Sequence, residues 1–123
     1  MRHSDDVVML GHASPDDLAA LLSASEMLVY PSYFEGFGIP ILEAMYAETA
    51  VVCSRTTSMP EVGGDAVLYV DPASPEDIAN AVNQAFDPEK RDDMIACGRE
   101  QRILFSWERT ANLLWQSLMK VEK

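Results

Sequence analysis

Four short apolar runs, separated by helical patterns, set the fold that this chain can adopt. The runs are residues 7–10, 27–30, 50–54 and 67–70, and three of them are rich in valine. Short valine-rich runs are typical of strands that are buried on both faces. Their alternation with helices predicts an α/β fold, a three-layer, doubly wound parallel sheet of about four strands with a helical C-terminal part. Ligands of such sheets bind beyond the carboxyl ends of the strands.

Helix start signals follow the apolar runs. Ser14 and Ser74 each precede a proline and two acids, which predicts N-caps for two helices. Ser58 and Glu61 have the spacing of a capping box, which predicts a short helical turn ended by the glycines at 63–64. Pro40 opens a helix through about residue 46. The helix behind Ser74 is expected at 75–86. Two more are expected at 88–103 and 107–121, and the last carries an apolar stripe of Trp107, Leu114, Leu118 and Val121.

Composition narrows the function classes. The 123 residues are 48% hydrophobic, which fits a single globular domain over 1–123. The formal net charge of −11 argues against nucleic acid and against anionic lipid as partners. No apolar run approaches the ~18 residues of a membrane span. Cys53 and Cys97 form no disulfide framework, so we expect a cytoplasmic protein with reduced thiols.

The segment 31–45 carries the candidate chemistry. Glu35 and Glu43 lie eight positions apart, with Gly36 and Gly38 between them and Pro40 at the helix start. The glycines would allow positive φ angles and close approach of a ligand, and the free N–H groups of the helix end could seat a phosphate. A merely structural turn is the alternative. Glu43 could simply favour a helix N-terminus, or it could accept two hydroxyls from a diol such as ribose.

Several stretches together resemble one family. "EGFGIPILEAM" at 35–45 is similar to the signature of the family 4 (group 1) retaining glycosyltransferases of the GT-B type. The stretches at 7–11, 28–32, 58–72 and 105–111 also resemble the C-terminal, donor-binding half of those enzymes. The resemblance covers nearly the whole chain, and it implies a partial nucleotide-sugar-binding domain with the Rossmann-like GT-B fold.

The resemblance implies a role for each residue of the motif. Glu35 would contact hydroxyls of the transferred sugar and is the catalytic candidate, and Glu43 would bind the ribose hydroxyls. The backbone between them would approach the phosphates and the sugar, at Gly36, Phe37, Gly38 and Ile39. The turn at Gly11 and His12 would lie near the base. For His12 an ordinary loop histidine is an equal alternative.

Two departures from the family pattern stand out. Glu48 occupies a turn position where the family usually has glycine. The family's domain also opens with two strand–helix units that carry basic residues for the diphosphate, and these units and the acceptor domain have no counterpart here. We therefore expect residues 7–10 to pair directly beside residues 27–30. Only Arg55, just past a strand end, could stand near the diphosphate, and an exposed loop arginine is the alternative.

The expected function is the donor-binding part of a hexosyl- or mannosyltransferase. Such an enzyme moves a hexose from a UDP-, GDP- or ADP-linked sugar to an acceptor with retention of anomeric configuration. We expect no metal and no other cofactor, and no Asp-x-Asp pair occurs. A second chain could supply the acceptor domain, without which the chain should be inactive. The alternatives are a truncated, non-catalytic nucleotide-sugar-binding remnant and an α/β protein-interaction module.

Overall fold

The computed structural model describes residues 3–121, and its centre is a sheet of three parallel strands. The strands are β1 (Met27–Tyr30), β2 (Ala50–Ser54) and β3 (Leu68–Val70), in the order β1-β2-β3. Met27 lies opposite Ala50, and Val52 lies opposite Leu68. Three of the four predicted strands are therefore confirmed, and the last begins one residue later than predicted.

Helices follow the strands as the start signals predict. Within residues 3–121 there are six α-helices: α1 (Pro15–Ala24), α2 (Ile39–Tyr46), α3 (Met59–Gly63), α4 (Pro75–Ala85), α5 (Pro88–Arg102) and α6 (Trp107–Val121). The Ser14 and Ser74 side chains accept hydrogen bonds from backbone N–H groups three residues later, so both predicted N-caps are confirmed. None of the helices described has the length and apolar character needed to cross a membrane.

The central strand β2 is buried on both faces. Val51 and Cys53 pack in a cluster with side chains of α1, α2 and α3. Ala50 and Val52 point to the other face, into a second cluster that α4 and α5 cover. All four are at most 1% exposed. Full burial of a valine side chain stabilises a fold by about 1.5–3 kcal/mol. The predicted three-layer α/β arrangement is thus confirmed.

Residues 7–10 do not form the fourth strand. They lie outside the sheet, and Val8 and Met9 are 77% and 89% exposed. A strand is stabilised by hydrogen bonds to a neighbouring strand and by side-chain cover. In the described part of the chain β1 pairs only with β2, and residues 7–10 obtain neither kind of support. The prediction that this run pairs beside β1 is wrong, and the described sheet has three strands instead of about four.

Helix α5 braces the edge of the sheet where the strands begin. Arg91 pairs with Glu26, just before β1. Arg99 donates to both carboxylate oxygens of Glu48, just before β2, at 2.9 and 2.7 Å. Arg102 donates to main-chain oxygens at the end of α2. These three arginines tie the turns at this edge to one helix.

Helix α6 presents an uncovered apolar stripe. The predicted helix is confirmed, and the predicted stripe of Trp107, Leu114, Leu118 and Val121 lies on it. No α6 residue is buried, and each stripe side chain is more than half exposed. Within residues 3–121 the helix therefore adds little to the core.

The turn between α2 and β2 gives a test of local backbone strain. Glu48, at the position where the family usually has glycine, has a φ of 58°. A Cβ atom is unfavourable in this left-handed region. We expect Glu48→Gly to melt roughly 4 °C above Glu48→Ala, because both lose the Arg99 ion pair and only the alanine variant retains the strain. Thermal unfolding followed by circular dichroism measures the difference. Equal melting temperatures would contradict the left-handed assignment.

Candidate functional site

The loop of residues 31–38 lies at the carboxyl edge of the sheet, where ligands of parallel sheets bind. It follows β1 directly and ends at Gly38, the N-cap of α2. Ile41, in the first turn of α2, is fully buried and anchors the helix in the core. The start of α2 is one residue earlier than Pro40, and the predicted strand–loop–helix order is confirmed.

The two glycines of the loop differ in their backbone. Gly38 has a φ of 100°, and a Cβ atom there would lie 3.3 Å from the Ile41 Cδ1 atom. Gly36 is not in the positive-φ region, and a Cβ atom there would meet no atom within 4 Å. The expectation of positive φ is therefore right for Gly38 and wrong for Gly36. The Gly36 backbone is open to whatever approaches the loop.

Three consecutive hydroxyl side chains fasten this loop from the side. We call Thr56, Thr57 and Ser58, which follow β2, the hydroxyl clasp. Thr56 donates to Ser32 O at 3.3 Å, and Thr57 Oγ1 accepts from Glu35 N–H at 3.2 Å. The Ser58 hydroxyl lies 3.1 Å from Glu35 O and 2.9 Å from Phe37 O, so these two carbonyl oxygens share its one proton. The clasp thus holds the loop backbone at three positions.

The capping box predicted at residues 58–61 is absent. Ser58 makes no side-chain cap hydrogen bond to α3, because its hydroxyl points to the loop of residues 31–38, which we call the glutamate loop. The sequence patterns do not predict the clasp. The only signal for it was a run of three hydroxyl residues just past a strand end, which local rules assign to a turn or cap.

Glu35 is held by a tyrosine at the end of β1, the strand that leads into the loop. The Tyr30 hydroxyl donates to Glu35 Oε1 at 2.5 Å. This hydrogen bond, and then the nearby Ser32 hydroxyl, lower the pKa of the Glu35 carboxyl. Burial, followed by the Glu35 hydrogen bond, raises the pKa of Tyr30 to about 12. Because the folded pKa of Glu35 lies below the unfolded value, the bond stabilises the fold above pH 4.5 and is lost as pH falls through the lowered pKa.

Glu43 lies on the exposed face of α2. Its neighbours Ala44 and Met45 are buried, so the apolar flanks reflect the opposite face of the helix. The Glu43 side chain lines a groove of about 310 Å³ between α1 and α2, together with Leu18 and Tyr46. The charges of both Glu43 and Glu35 raise the pKa of Tyr30. Glu43 therefore faces the groove beside α1, and Glu35 lies in the loop that leads into the same helix.

The remaining predicted residues take different positions around this site. Ile39 and Phe37 are about half exposed, and the Phe37 ring meets Phe105 edge to face at 5.8 Å. Gly11, with a φ of 68°, and His12 lie in the exposed loop before α1. No hydrogen bond links this loop to Glu35 or Glu43 among the described residues.

Arg55 lies at the carboxyl end of β2 and is exposed. Its guanidinium stacks 5.1 Å from the centre of the Tyr69 ring, a cation–π contact. Within residues 3–121, no cluster of three or more His, Cys, Asp or Glu side chains could hold a metal ion. Cys53, buried, and Cys97, exposed, are both free thiols.

Comparison with known sequences matches residues 2–101 to the family described as "Glycosyl transferases group 1". The chain belongs to this glycosyltransferase family. The family that the sequence motifs indicate is thus confirmed.

Relatives of this glycosyltransferase chain include two named mannosyltransferases. O-antigen chain mannosyltransferase B of Escherichia coli is 46% identical over 100 residues, which cover 80% of this chain and 26% of that protein. MMP alpha-(1->4)-mannosyltransferase of Mycolicibacterium hassiacum is 34% identical over 113 residues, covering 88% of this chain and 28% of that protein. The chain therefore spans little more than a quarter of either relative.

A solved structure supports the fold of the glycosyltransferase chain. Sucrose-phosphate synthase from Thermosynechococcus elongatus superposes with a TM-score of 0.84 at 30% sequence identity. The match covers 96% of this chain and 31% of that one. The GT-B type of α/β fold is thus shown for nearly the whole chain.

The contrast between the two loop glycines gives a test of the site's backbone. Gly38→Ala should lower the free energy of unfolding by about 1–2 kcal/mol, since alanine is strained at that φ. Gly36→Ala should change it by less than about 0.5 kcal/mol, because the added methyl enters open space. Urea unfolding of both variants measures this difference. Comparable losses in the two variants would contradict the geometry of the loop.

Proposed function

We propose that this glycosyltransferase chain binds the nucleotide-diphosphate sugar donor at the loop of residues 31–38 and the start of α2. The observation that carries the proposal is a pair of carboxylates at the carboxyl edge of the sheet: Glu35, held in the loop by the Tyr30 hydroxyl, and Glu43, on the exposed face of α2. They flank the N-terminus of a helix. A donor of this class has a matching order of parts: hydroxyls on the sugar, a charged diphosphate, and hydroxyls on the ribose.

The diphosphate is assigned to the start of α2. In the described part of the chain the backbone N–H groups of Gly38 and Ile39 have no acceptor. Unpaired N–H groups at a helix start, with the positive end of the helix dipole behind them, attract phosphate. Because this attraction is local, the net charge of −11 does not oppose it. The open backbone at Gly36 leaves room for a phosphate or a sugar to approach.

The nucleoside is assigned to the side of α2 that faces α1. Glu43 accepts the two ribose hydroxyls in this proposal, because an exposed carboxylate has two oxygens available for a diol. The groove beside it, lined by Leu18 and Tyr46, offers apolar surface for a base. We place the turn at Gly11 and His12 near the base, and His12 is the weakest assignment.

Glu35 is assigned to the transferred sugar. Its carboxylate accepts sugar hydroxyls, while the bond from the sugar's anomeric carbon to the phosphate oxygen breaks and an oxocarbenium-like transition state forms. Negative charge then grows on the departing phosphate, and the helix N–H groups stabilise it. The departing phosphate takes the acceptor's proton, and the new bond forms on the same face of the sugar. The proposed chemistry is transfer with retention, and it uses no metal ion.

We propose mannose as the hexose. Several relatives are named mannosyltransferases, including O-antigen chain mannosyltransferase B and MMP alpha-(1->4)-mannosyltransferase. These names support the sugar and leave the nucleotide among UDP, GDP and ADP. The acceptor site belongs to the longer part of such enzymes, and a second chain or domain would supply it.

The two glutamates should divide the ligand between them. Glu43→Ala should weaken binding of the free nucleoside diphosphate by about tenfold or more, because a hydrogen bond to a charged acceptor is worth roughly 1.5–3 kcal/mol. Glu35→Ala should leave the free nucleotide nearly unaffected and weaken the nucleotide sugar. Isothermal titration calorimetry with UDP, GDP and ADP, and with a sugar conjugate of each, measures both affinities.

The matched control for these two variants is a glutamate outside the site. Glu89→Ala removes an exposed carboxylate from the first turn of α5, away from the loop, and should change neither affinity. If the two site variants weaken free nucleotide equally, the division of labour is wrong. If the wild-type chain binds no nucleotide at all, donor binding is wrong. The exposed stripe of α6 would then favour an interaction module instead.

A further inference from the structure

Tyr30 joins the core to the candidate site. It is the last residue of β1, and its ring is partly buried against the core cluster that contains Ile41 and Cys53. Its hydroxyl leaves the core and donates to Glu35 Oε1 at 2.5 Å. One side chain therefore has a ring fixed by packing and a polar end fixed on the carboxylate.

The backbone of Glu35 is held as firmly as its side chain. Its N–H donates to Thr57 Oγ1 at 3.2 Å, and its carbonyl oxygen lies 3.1 Å from the Ser58 hydroxyl, which it shares with Phe37 O at 2.9 Å. Together with Tyr30, three hydroxyls hold the donor, the acceptor and one carboxylate oxygen of a single residue. Tyr30 occupies one acceptor position of the carboxylate, whose two oxygens together offer about four, so a ligand hydroxyl can still bind.

We propose that Tyr30 is a positioning residue that sets the Glu35 carboxylate in one orientation before a ligand arrives. The inference rests on the proposed function, in which Glu35 contacts the transferred sugar. It extends that function to a strand residue outside the glutamate motif, with the hydroxyl clasp as the matching support on the backbone.

The physical reason lies in side-chain entropy. A free glutamate has several rotamers, and a ligand that selects one of them loses affinity by the cost of ordering it. A glutamate that is already ordered by the fold avoids this cost when the ligand binds. Only ligands that contact Glu35 gain from this order. The effect should therefore separate nucleotide sugars from free nucleotides.

Tyr30→Phe tests the proposal, because it removes the hydroxyl and keeps the ring in the core. We expect it to weaken binding of a nucleotide sugar by about fivefold to tenfold and to change binding of the free nucleoside diphosphate by less than about twofold. The probes are GDP-mannose, UDP-glucose and ADP-glucose, each beside its nucleoside diphosphate in calorimetry. Tyr69→Phe is the matched control, because it removes a tyrosine hydroxyl in β3 that donates to Gly64 O at 2.8 Å, and it should change neither affinity.

A second measurement needs no ligand. Carbon-13 NMR of labelled glutamates follows the carboxyl titration, and Glu35→Gln identifies the signal. In wild-type chain the pKa of Glu35 should lie below 4.5, and in Tyr30→Phe it should rise toward that value. Glu48 serves as an internal control. Its pKa is lowered by Arg99 and should be the same in both proteins.

The outcomes separate this inference from the proposed function. Suppose that wild type prefers the nucleotide sugar, that Glu35→Ala removes the preference, and that Tyr30→Phe keeps it. The positioning role is then wrong although the donor site stands. An unchanged Glu35 pKa in Tyr30→Phe also overturns it. If wild type binds none of the six ligands, the proposed function fails and the positioning role falls with it.

A variant of the clasp keeps the proposal testable if Tyr30→Phe does not fold. Ser58→Ala removes the hydroxyl that holds the Glu35 carbonyl, and it should reduce the preference for nucleotide sugar in the same way. Ser58→Thr retains a hydroxyl and should restore the preference. Loss of preference in both, or in neither, would overturn the role of the clasp.

Discussion

The burial of β2 on both faces is the constraint on which the rest of the structure depends. Its side chains alternate between a cluster under α1, α2 and α3 and a cluster under α4 and α5. Burial alone raises the pKa of the Cys53 thiol in this strand to about 12. Because helices pack on both faces of β2, the position of its last residue is fixed. The hydroxyl clasp follows β2 directly, so its position relative to the glutamate loop is fixed as well.

The candidate site is a junction between the exits of two adjacent strands. β1 delivers Tyr30 and Glu35, and the exit of β2 delivers the hydroxyl clasp. Thr57 has a φ of 50°, a conformation that costs a threonine energy, and the same residue accepts the Glu35 N–H. Strain at this position is offset by tertiary contacts, so the loop has its shape without ligand.

Short-range patterns in the sequence predict the parts of this molecule that depend on neighbouring residues. The strands at 27–30 and 50–54, the caps at Ser14 and Ser74, and the order of strand, loop and helix around Glu35 are such parts. The prediction of a strand at 7–10 is wrong because an apolar run shows only a tendency to form a strand. It does not show that a neighbouring strand is available for pairing. The capping box fails because the Ser58 hydroxyl is turned toward distant carbonyl oxygens, those of Glu35 and Phe37, and accepts no hydrogen bond from the N–H groups of α3. The contact between the Tyr30 hydroxyl and Glu35 depends on the side-chain rotamers and on the path of the loop. Residue spacing predicts neither of these.

The two edges of the sheet differ in their response to dissolved salt. At the amino edge, α5 holds the turns before β1 and β2 through exposed ion pairs, which dissolved salt screens. At the carboxyl edge, uncharged hydroxyls of the clasp hold the loop, and salt leaves such bonds nearly unchanged. Rising ionic strength should therefore loosen the amino edge first. The molecule can yield at one edge while the glutamate loop at the other keeps its shape.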